Sequence, residues 1–467
     1  MTFDCLQFLV FFMVVTLWFF RLQKQKWRIL LLLIASCYFY MSFIPEYIII
    51  LGSTIVVDYF AGLQIERSGG TARKSWLILS IIANIGTLAV FKYYNFFIDN
   101  IHTGSLFFGK AISLPVLQMA LPIGLSFHTF QALSYTIEVY RKKFPAERNF
   151  MTYALYVMFY PQLVAGPIER PQNVLPQLKE FRAYDWDNVK EGLARMLWGF
   201  FKKAVIADRL AMIVDRTFVH TNESSSLALF VGALFYSFQI YCDFSGYSDI
   251  AIGAARVMNI RLMENFKEPY LSYNVSNFWT RWHISLSSWF RDYVYIPMGG
   301  NRKGSLRRKF NVFVVFLLSG LWHGANWTFV IWGLLHGLVV IFFTRKAREE
   351  REERAHILTV RRTLEMVSTF VVVTFFWIFF RSPNVTSAWL YIKKIFSFIG
   401  GANYVGVNRV ELLFSIALIA IMMLRERLLP RHLISNDKRF YAFAIAMTVI
   451  CYYLGVFREN QFIYFQF

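Results

Sequence analysis

Apolar runs recur along the whole of this chain, and the links between them are too short to hold a sizeable soluble domain. They include Leu30–Met41, Tyr47–Val57, Trp76–Val90, Val312–Leu318, Val330–Phe343, Phe370–Phe380, Leu412–Leu424 and Tyr441–Leu454. A helix needs about 20 mostly apolar residues to cross a bilayer, which gives roughly ten to twelve helices here. Of the 467 residues, 57% are hydrophobic, against roughly 45–50% in soluble domains, and the excess is gathered in these runs. The expected class is an all-α polytopic membrane protein.

The first run, Leu6–Phe20, has no basic region before it and no small-residue cleavage site after it, so it reads as a retained span rather than a signal peptide. Arg21, Lys24, Lys26 and Arg28 follow it instead. Net charge is +20, from 49 basic and 29 acidic residues. In a soluble chain that balance points to nucleic acid; here Lys and Arg collect in short links, as cytoplasmic loops of membrane proteins do. Arg21–Arg28, Arg67–Lys74 and Arg141–Arg148 alternate with charge-poor links near Phe43–Glu46 and Asn100–Ser113. That alternation puts the N-terminus outside and the basic clusters in the cytoplasm. Arg302–Lys309, Arg345–Arg362 and Arg425–Lys438 continue the pattern, and a last span returns the C-terminus to the outer side. Within 345–362, interleaved Glu349, Glu350, Glu352 and Glu353 suggest a solvated helical loop. The cysteines Cys5, Cys37, Cys242 and Cys451 are scattered and form no disulfide or metal pattern.

Two segments break the apolar rhythm. Tyr160–Pro176 carries Pro161, Pro167, Pro171 and Pro176, which should break any helix there. Tyr270–Lys309 mixes charged and aromatic residues and is interrupted by Pro297, Gly299 and Gly300. Irregular backbone at membrane depth is tolerated only inside protein or beside a water-filled cavity. Both segments therefore read as re-entrant or interfacial pieces lining a central cavity.

The chemistry concentrates around two histidines. His323 lies in Ser319-Gly320-Leu321-Trp322-His323-Gly324-Ala325-Asn326-Trp327, between two apolar runs. A titratable side chain at that depth is costly and needs a function or a buried partner. His283 lies in Thr280-Arg281-Trp282-His283-Ile284-Ser285, followed by Trp289-Phe290-Arg291-Asp292-Tyr293. A neutral imidazole removes a proton from a hydroxyl or thiol near neutral pH, while a second polar group orients it or stabilises an oxyanion. Candidate substrate contacts around the pair are Trp322, Asn326, Arg281, Trp282, Ser285 and Asp292. Asp243 and Asp249 form a third polar island at Tyr241–Asp249. They serve a proton or substrate, or they pair with Arg256, Arg281 or Arg291; both readings stand at this level.

His128 and His336 lie in apolar runs and are expected to make helix-packing hydrogen bonds, whereas His102, His220, His356 and His432 fall in polar links. No closely spaced ligand set of the HExxH kind occurs, so no metal is expected. The rival class is a transporter or channel, because intramembrane His and Asp make proton relays and broken helices make substrate sites. Against it, no inverted repeat is visible and the polar groups cluster in one half of the chain.

Trp282-His283-Ile284-Ser285-Leu286-Ser287, Trp289-Phe290-Arg291-Asp292-Tyr293, Leu321-Trp322-His323-Gly324, Asp243–Asp249 and Val164-Ala165-Gly166-Pro167-Ile168 together resemble the membrane-bound O-acyltransferase family. The resemblance is to the bacterial branch that acetylates alginate and peptidoglycan or transfers D-alanine to teichoic acid. It covers most of the chain and is densest from about Leu121 to Val340. It implies one membrane-embedded domain over 1–467, with N-terminal helices to 120, a core over about 121–345 and C-terminal helices over 363–467. The implied fold is a ring of helices with re-entrant segments around a central funnel.

By position, the family's catalytic histidine falls on His323 and its second signature residue on His283. His323 would then be general base on an acceptor hydroxyl or a carrier thiol or hydroxyl, and His283 would position the thioester or stabilise charge. The resemblance also implies acetyl-CoA as donor, although no nucleotide-binding loop is visible. It implies a multi-pass protein of the bacterial cytoplasmic membrane, surrounded by lipid, with no nucleic-acid partner. The acyl group would pass to an exported polysaccharide such as alginate, or to a periplasmic SGNH-type acyltransferase partner. Peptidoglycan, teichoic acid and a lipid alcohol remain open as acceptors. The aromatic tail, Asn460–Phe467, reads either as an interfacial belt or as a docking strip for that partner.

Overall fold

A computed structural model describes the chain except for residues 4, 110, 111, 113, 119, 120, 344–359, 399–407, 429–435 and 458–467. The charged loop before residue 360, His356, His432 and the aromatic tail thus lie outside the described residues. The described residues are built from helices joined by short links, with no strand among them. They divide into two compact units: Met1–Met196 with Tyr247–Met263, and Leu197–Gly246 with Glu264–Phe467.

Each apolar run becomes a helix extended by its polar flanks. In the first unit these are Leu6–Arg21, Gln25–Met41, Tyr47–Arg67 and Gly70–Leu88, the last continuing through a π-turn into Tyr94–Phe107. On Leu6–Arg21 the outward side chains include Leu6, Val10, Met13, Val14, Leu17 and Trp18, while Phe8, Phe12, Val15 and Phe19 are buried. A helix apolar on both faces is buried on one and solvated by hydrocarbon on the other. Among the described residues, four helices are long and apolar enough to cross a bilayer: Tyr47–Arg67, Gly70–Phe107, Ser226–Val257 and Val360–Arg381. Leu6–Arg21 and Trp327–Phe343 are shorter apolar helices.

Tyr47–Arg67, Gly70–Leu88 and Leu125–Tyr140 pack together around a fully buried carboxyl, Asp58. Ser80 Oγ donates to Asp58 Oδ1 at 2.6 Å, and Asn84 Nδ2 donates to both carboxyl oxygens at 3.0 and 2.8 Å. Neutral donors on two turns of one helix thus satisfy a carboxyl that no cation meets among the described residues. Gly62 admits the Tyr135 ring: a Cβ there would lie 2.6 Å from it.

The proline-rich segment departs from expectation. It is helical in two pieces, Tyr160–Leu163 and Pro171–Lys179. Pro171 occupies the first helical position, where its missing N–H is no loss; only Pro176 interrupts a ladder. Between them Glu169, outside the long apolar helices, is fully buried. It accepts from the Met263 N–H at 2.5 Å and from Asn173 Nδ2 at 2.7 Å. Burial outweighs these bonds and pushes its carboxyl up to about 7. A carboxyl raised in the fold supports stability fully below its ordinary value, and that support is lost as pH rises through the folded value. The thermal midpoint in detergent should therefore fall from about pH 5 to about pH 8, and Glu169→Gln should flatten that slope. An unchanged slope in the variant would remove Glu169 as its cause.

In the second unit, Gly304–His323 and Trp327–Phe343 form a tight helical hairpin. Its closeness comes from glycine: a Cβ on Gly320 would lie 2.3 Å from the Phe329 carbonyl oxygen, and one on Gly333 would lie 2.4 Å from that of Phe316. Small residues let helix backbones touch in lipid, where association relies on packing rather than on the hydrophobic effect.

Candidate active site

His323 is the last residue of its helix, because Gly324 turns extended at φ −166°, ψ 152°. Asn326 starts the next helix: its Oδ1 accepts from the Thr328 N–H at 3.0 Å, and its Nδ2 donates to the Pro383 carbonyl at 2.8 Å. This candidate substrate contact thus serves as a cap. His323 is almost wholly buried, against Trp322 and Trp332 at 5.0 Å between ring centres and Phe380 at 5.2 Å.

His283 comes from the mixed segment. A one-turn helix, Val275–Trp279, is capped by Asn274 Oδ1 accepting from the Asn277 N–H at 2.8 Å. Four residues later the chain passes through His283 in the left-handed region, φ 44°, ψ 54°, and enters the helix Ile284–Phe290. A non-glycine residue there stores strain that the surroundings must hold, a condition common at functional sites. The holder is Asn265. Its backbone carbonyl accepts from the Ile284 N–H at 2.9 Å. Its Oδ1 accepts from the Ser285 N–H at 3.3 Å, from Ser285 Oγ at 2.9 Å and from His283 Nδ1 at 3.1 Å.

The two imidazoles lie with ring centres 6.4 Å apart. Trp322 lies 5.9 Å from His283, and Phe244 packs edge-on at 4.6 Å. Two titratable rings thus share an aromatic, water-poor environment, where hydrogen bonds and charge interactions are stronger than in water.

Of the other predicted site residues, Trp282 and Ser285 are buried in the same cluster. Arg281 lies at its edge, 3.5 Å from the Lys267 carbonyl. Asp292 pairs with Arg291 at 2.8 Å on a solvated face. Asp243 meets Lys203 at 2.8 Å, and that lysine also meets Asp208 at 2.8 Å. Asp249 belongs to the first unit and pairs with Arg195 at 2.9 Å.

The aspartates are thus ion-paired, but not through the arginines expected. Arg256 pairs with Glu191 at 2.6 Å and Arg291 with its neighbour Asp292. His336 accepts from Trp279 Nε1 at 3.2 Å, the packing hydrogen bond anticipated for it. His128 departs from that pattern: it is buried, and neither ring nitrogen has a hydrogen-bond partner among the described residues. Asn265 escaped sequence reading altogether; a lone asparagine in a polar link carries no motif.

Comparison with known proteins decides the family. The family model described as MBOAT, membrane-bound O-acyltransferase family, matches residues 55–381. The chain belongs to the membrane-bound O-acyltransferase family. It is 38% identical to the probable alginate O-acetylase AlgI of Pseudomonas aeruginosa over 435 residues, covering 91% of this chain and 82% of that protein. It is 37% identical to the peptidoglycan O-acetyltransferase of Helicobacter pylori over 408 residues, covering 82% and 74%. The teichoic acid D-alanyltransferase of Bacillus subtilis is 29% identical over 280 residues, covering 56% and 69%. The chain is therefore an O-acyltransferase with several apolar helices, and His283 and His323 both fall inside the matched region.

Proposed function

We propose that this O-acyltransferase moves an acetyl group from acetyl-CoA on the cytoplasmic side to an exported polysaccharide, directly or through a periplasmic SGNH-type partner. Alginate is the favoured acceptor, because the probable alginate O-acetylase AlgI of Pseudomonas aeruginosa is 38% identical over nine-tenths of this chain. The single observation that carries the reading is the buried imidazole pair, 6.4 Å between ring centres. Acyl transfer needs a proton to leave the attacking hydroxyl and negative charge to be held on the thioester oxygen. Two histidines in one dry cluster divide that work, and His323 is indispensable to it. Similarity to bacterial O-acyltransferases supports placement in the bacterial cytoplasmic membrane, and the charge pattern supports an orientation with basic links inside and both termini outside.

Purified protein in liposomes tests the reading. Acetyl-CoA labelled in its acetyl group is supplied on one side, and alginate oligosaccharide with the candidate partner on the other. Label should appear on the oligosaccharide and coenzyme A should be released. Folded, inserted protein that leaves all the label on coenzyme A, while conducting protons or solute, would favour the transporter class instead.

A further inference from the structure

The hydrogen bonds around His283 fix which of its ring nitrogens carries the proton. Amide oxygen and nitrogen are easily confused, so the assignment of Asn265 needs an unambiguous donor. The backbone N–H of Ser285 is one, because it can only donate. It points at the Asn265 side-chain atom at 3.3 Å, so that atom is the carbonyl oxygen. An oxygen that only accepts requires His283 Nδ1, 3.1 Å away, to be the donor. In the neutral ring Nε2 then holds the lone pair.

We propose that Asn265 is a positioning residue for acyl transfer: its side-chain oxygen holds His283 as the Nδ1-protonated tautomer and makes Nε2 the proton acceptor of the pair. This rests on the acyl-transfer reading above and revises the role that resemblance gave to His283. A neutral ring with a lone pair at Nε2 repels a developing oxyanion and accepts from a hydroxyl. The acceptor oxygen forms the C–O bond to the acyl carbon while its O–H bond breaks, and the proton passes to His283 Nε2. The C–S bond breaks with its electron pair leaving on sulfur, and the imidazolium returns that proton to the thiolate. His323 is left to hold charge on the thioester carbonyl oxygen. Asn265 also holds the strained backbone of His283 through the Ile284 and Ser285 N–H groups, so one residue sets both the direction of the ring and its protonation.

The test compares Asn265→Leu with Asn265→Asp in the full-length protein. The leucine has no acceptor; kcat should fall on the order of 10²-fold or more, with KM little changed. The aspartate keeps the acceptor and stabilises the imidazolium. It should retain activity within about tenfold of wild type and move the acidic limb of the pH–rate profile upward. A purely structural asparagine predicts the reverse: a buried carboxylate as damaging as leucine, and an unmoved acidic limb. Nitrogen-15 resonances of histidine-labelled wild type, assigned by loss in His283→Gln, should show Nδ1 protonated and Nε2 bare. A wild-type His283 protonated at Nε2 overturns the inference even if the leucine variant fails to fold. Those resonances are read without turnover, so a wrong tautomer and a wrong acyl-transfer reading fail separately.

Discussion

His323→Ala should reduce acetyl transfer by about 10²–10⁴-fold, the range for removing a proton-transfer group or an oxyanion donor. The protein should still insert and fold, because the side chain ends its helix beside Gly324 and the hairpin is held by other contacts. Truncation removes a ring packed against Trp322, Trp332 and Phe380, so some loss of thermal stability is expected. The measurement is label transfer per folded molecule, with folding checked by size-exclusion and melting. Normal acetylation by the well-folded variant would take His323 out of the chemistry.

Lys203→Met should damage the fold more than any single change at the histidines. Lys203 sits on a π-turn, Phe201–Ala207, buried between Asp208 and Asp243. Removing the cation takes from two buried carboxylates the lysine they share, and breaking a buried pair costs about 3–5 kcal/mol. Yield of folded protein in detergent should collapse. Adding Asp243→Asn should restore part of it, since one of the two carboxylates the lysine meets is then neutral. A single variant that melts like wild type would show that the triad contributes nothing to stability. A rescued double variant that is fully active would remove Asp243 from substrate binding.

These outcomes bear on what the sequence made legible. Helices were readable because an apolar run in lipid has no alternative to internal hydrogen bonding. The expected runs reappear as Tyr47–Arg67, Gly304–His323 and Val360–Arg381, each lengthened by polar ends. The histidine pair was readable because Trp-His-Gly and Trp-His-Ile-Ser are local strings. Partnerships between distant residues were not. Asp243 prefers Lys203 and Asp249 prefers Arg195 because helix packing, not sequence spacing, brings those cations close. Asn326 was grouped with the substrate contacts for its nearness to His323, and the helix start that its side chain makes was not foreseen. Asn265 was invisible for the same reason, since its importance exists only once the strained turn at His283 has formed.

The glycine contact within the hairpin has a mechanical consequence. Gly320 and Gly333 bring main chain against main chain, so at that crossing the two helices meet with no side chain of either glycine between them. Packed interiors transmit strain rather than dissipate it. Lateral pressure or a change in bilayer thickness acting on Trp327–Phe343 should therefore be felt at the imidazole. Turnover in thin and thick lipids becomes a gauge of how stiffly the membrane is coupled to the reacting atoms.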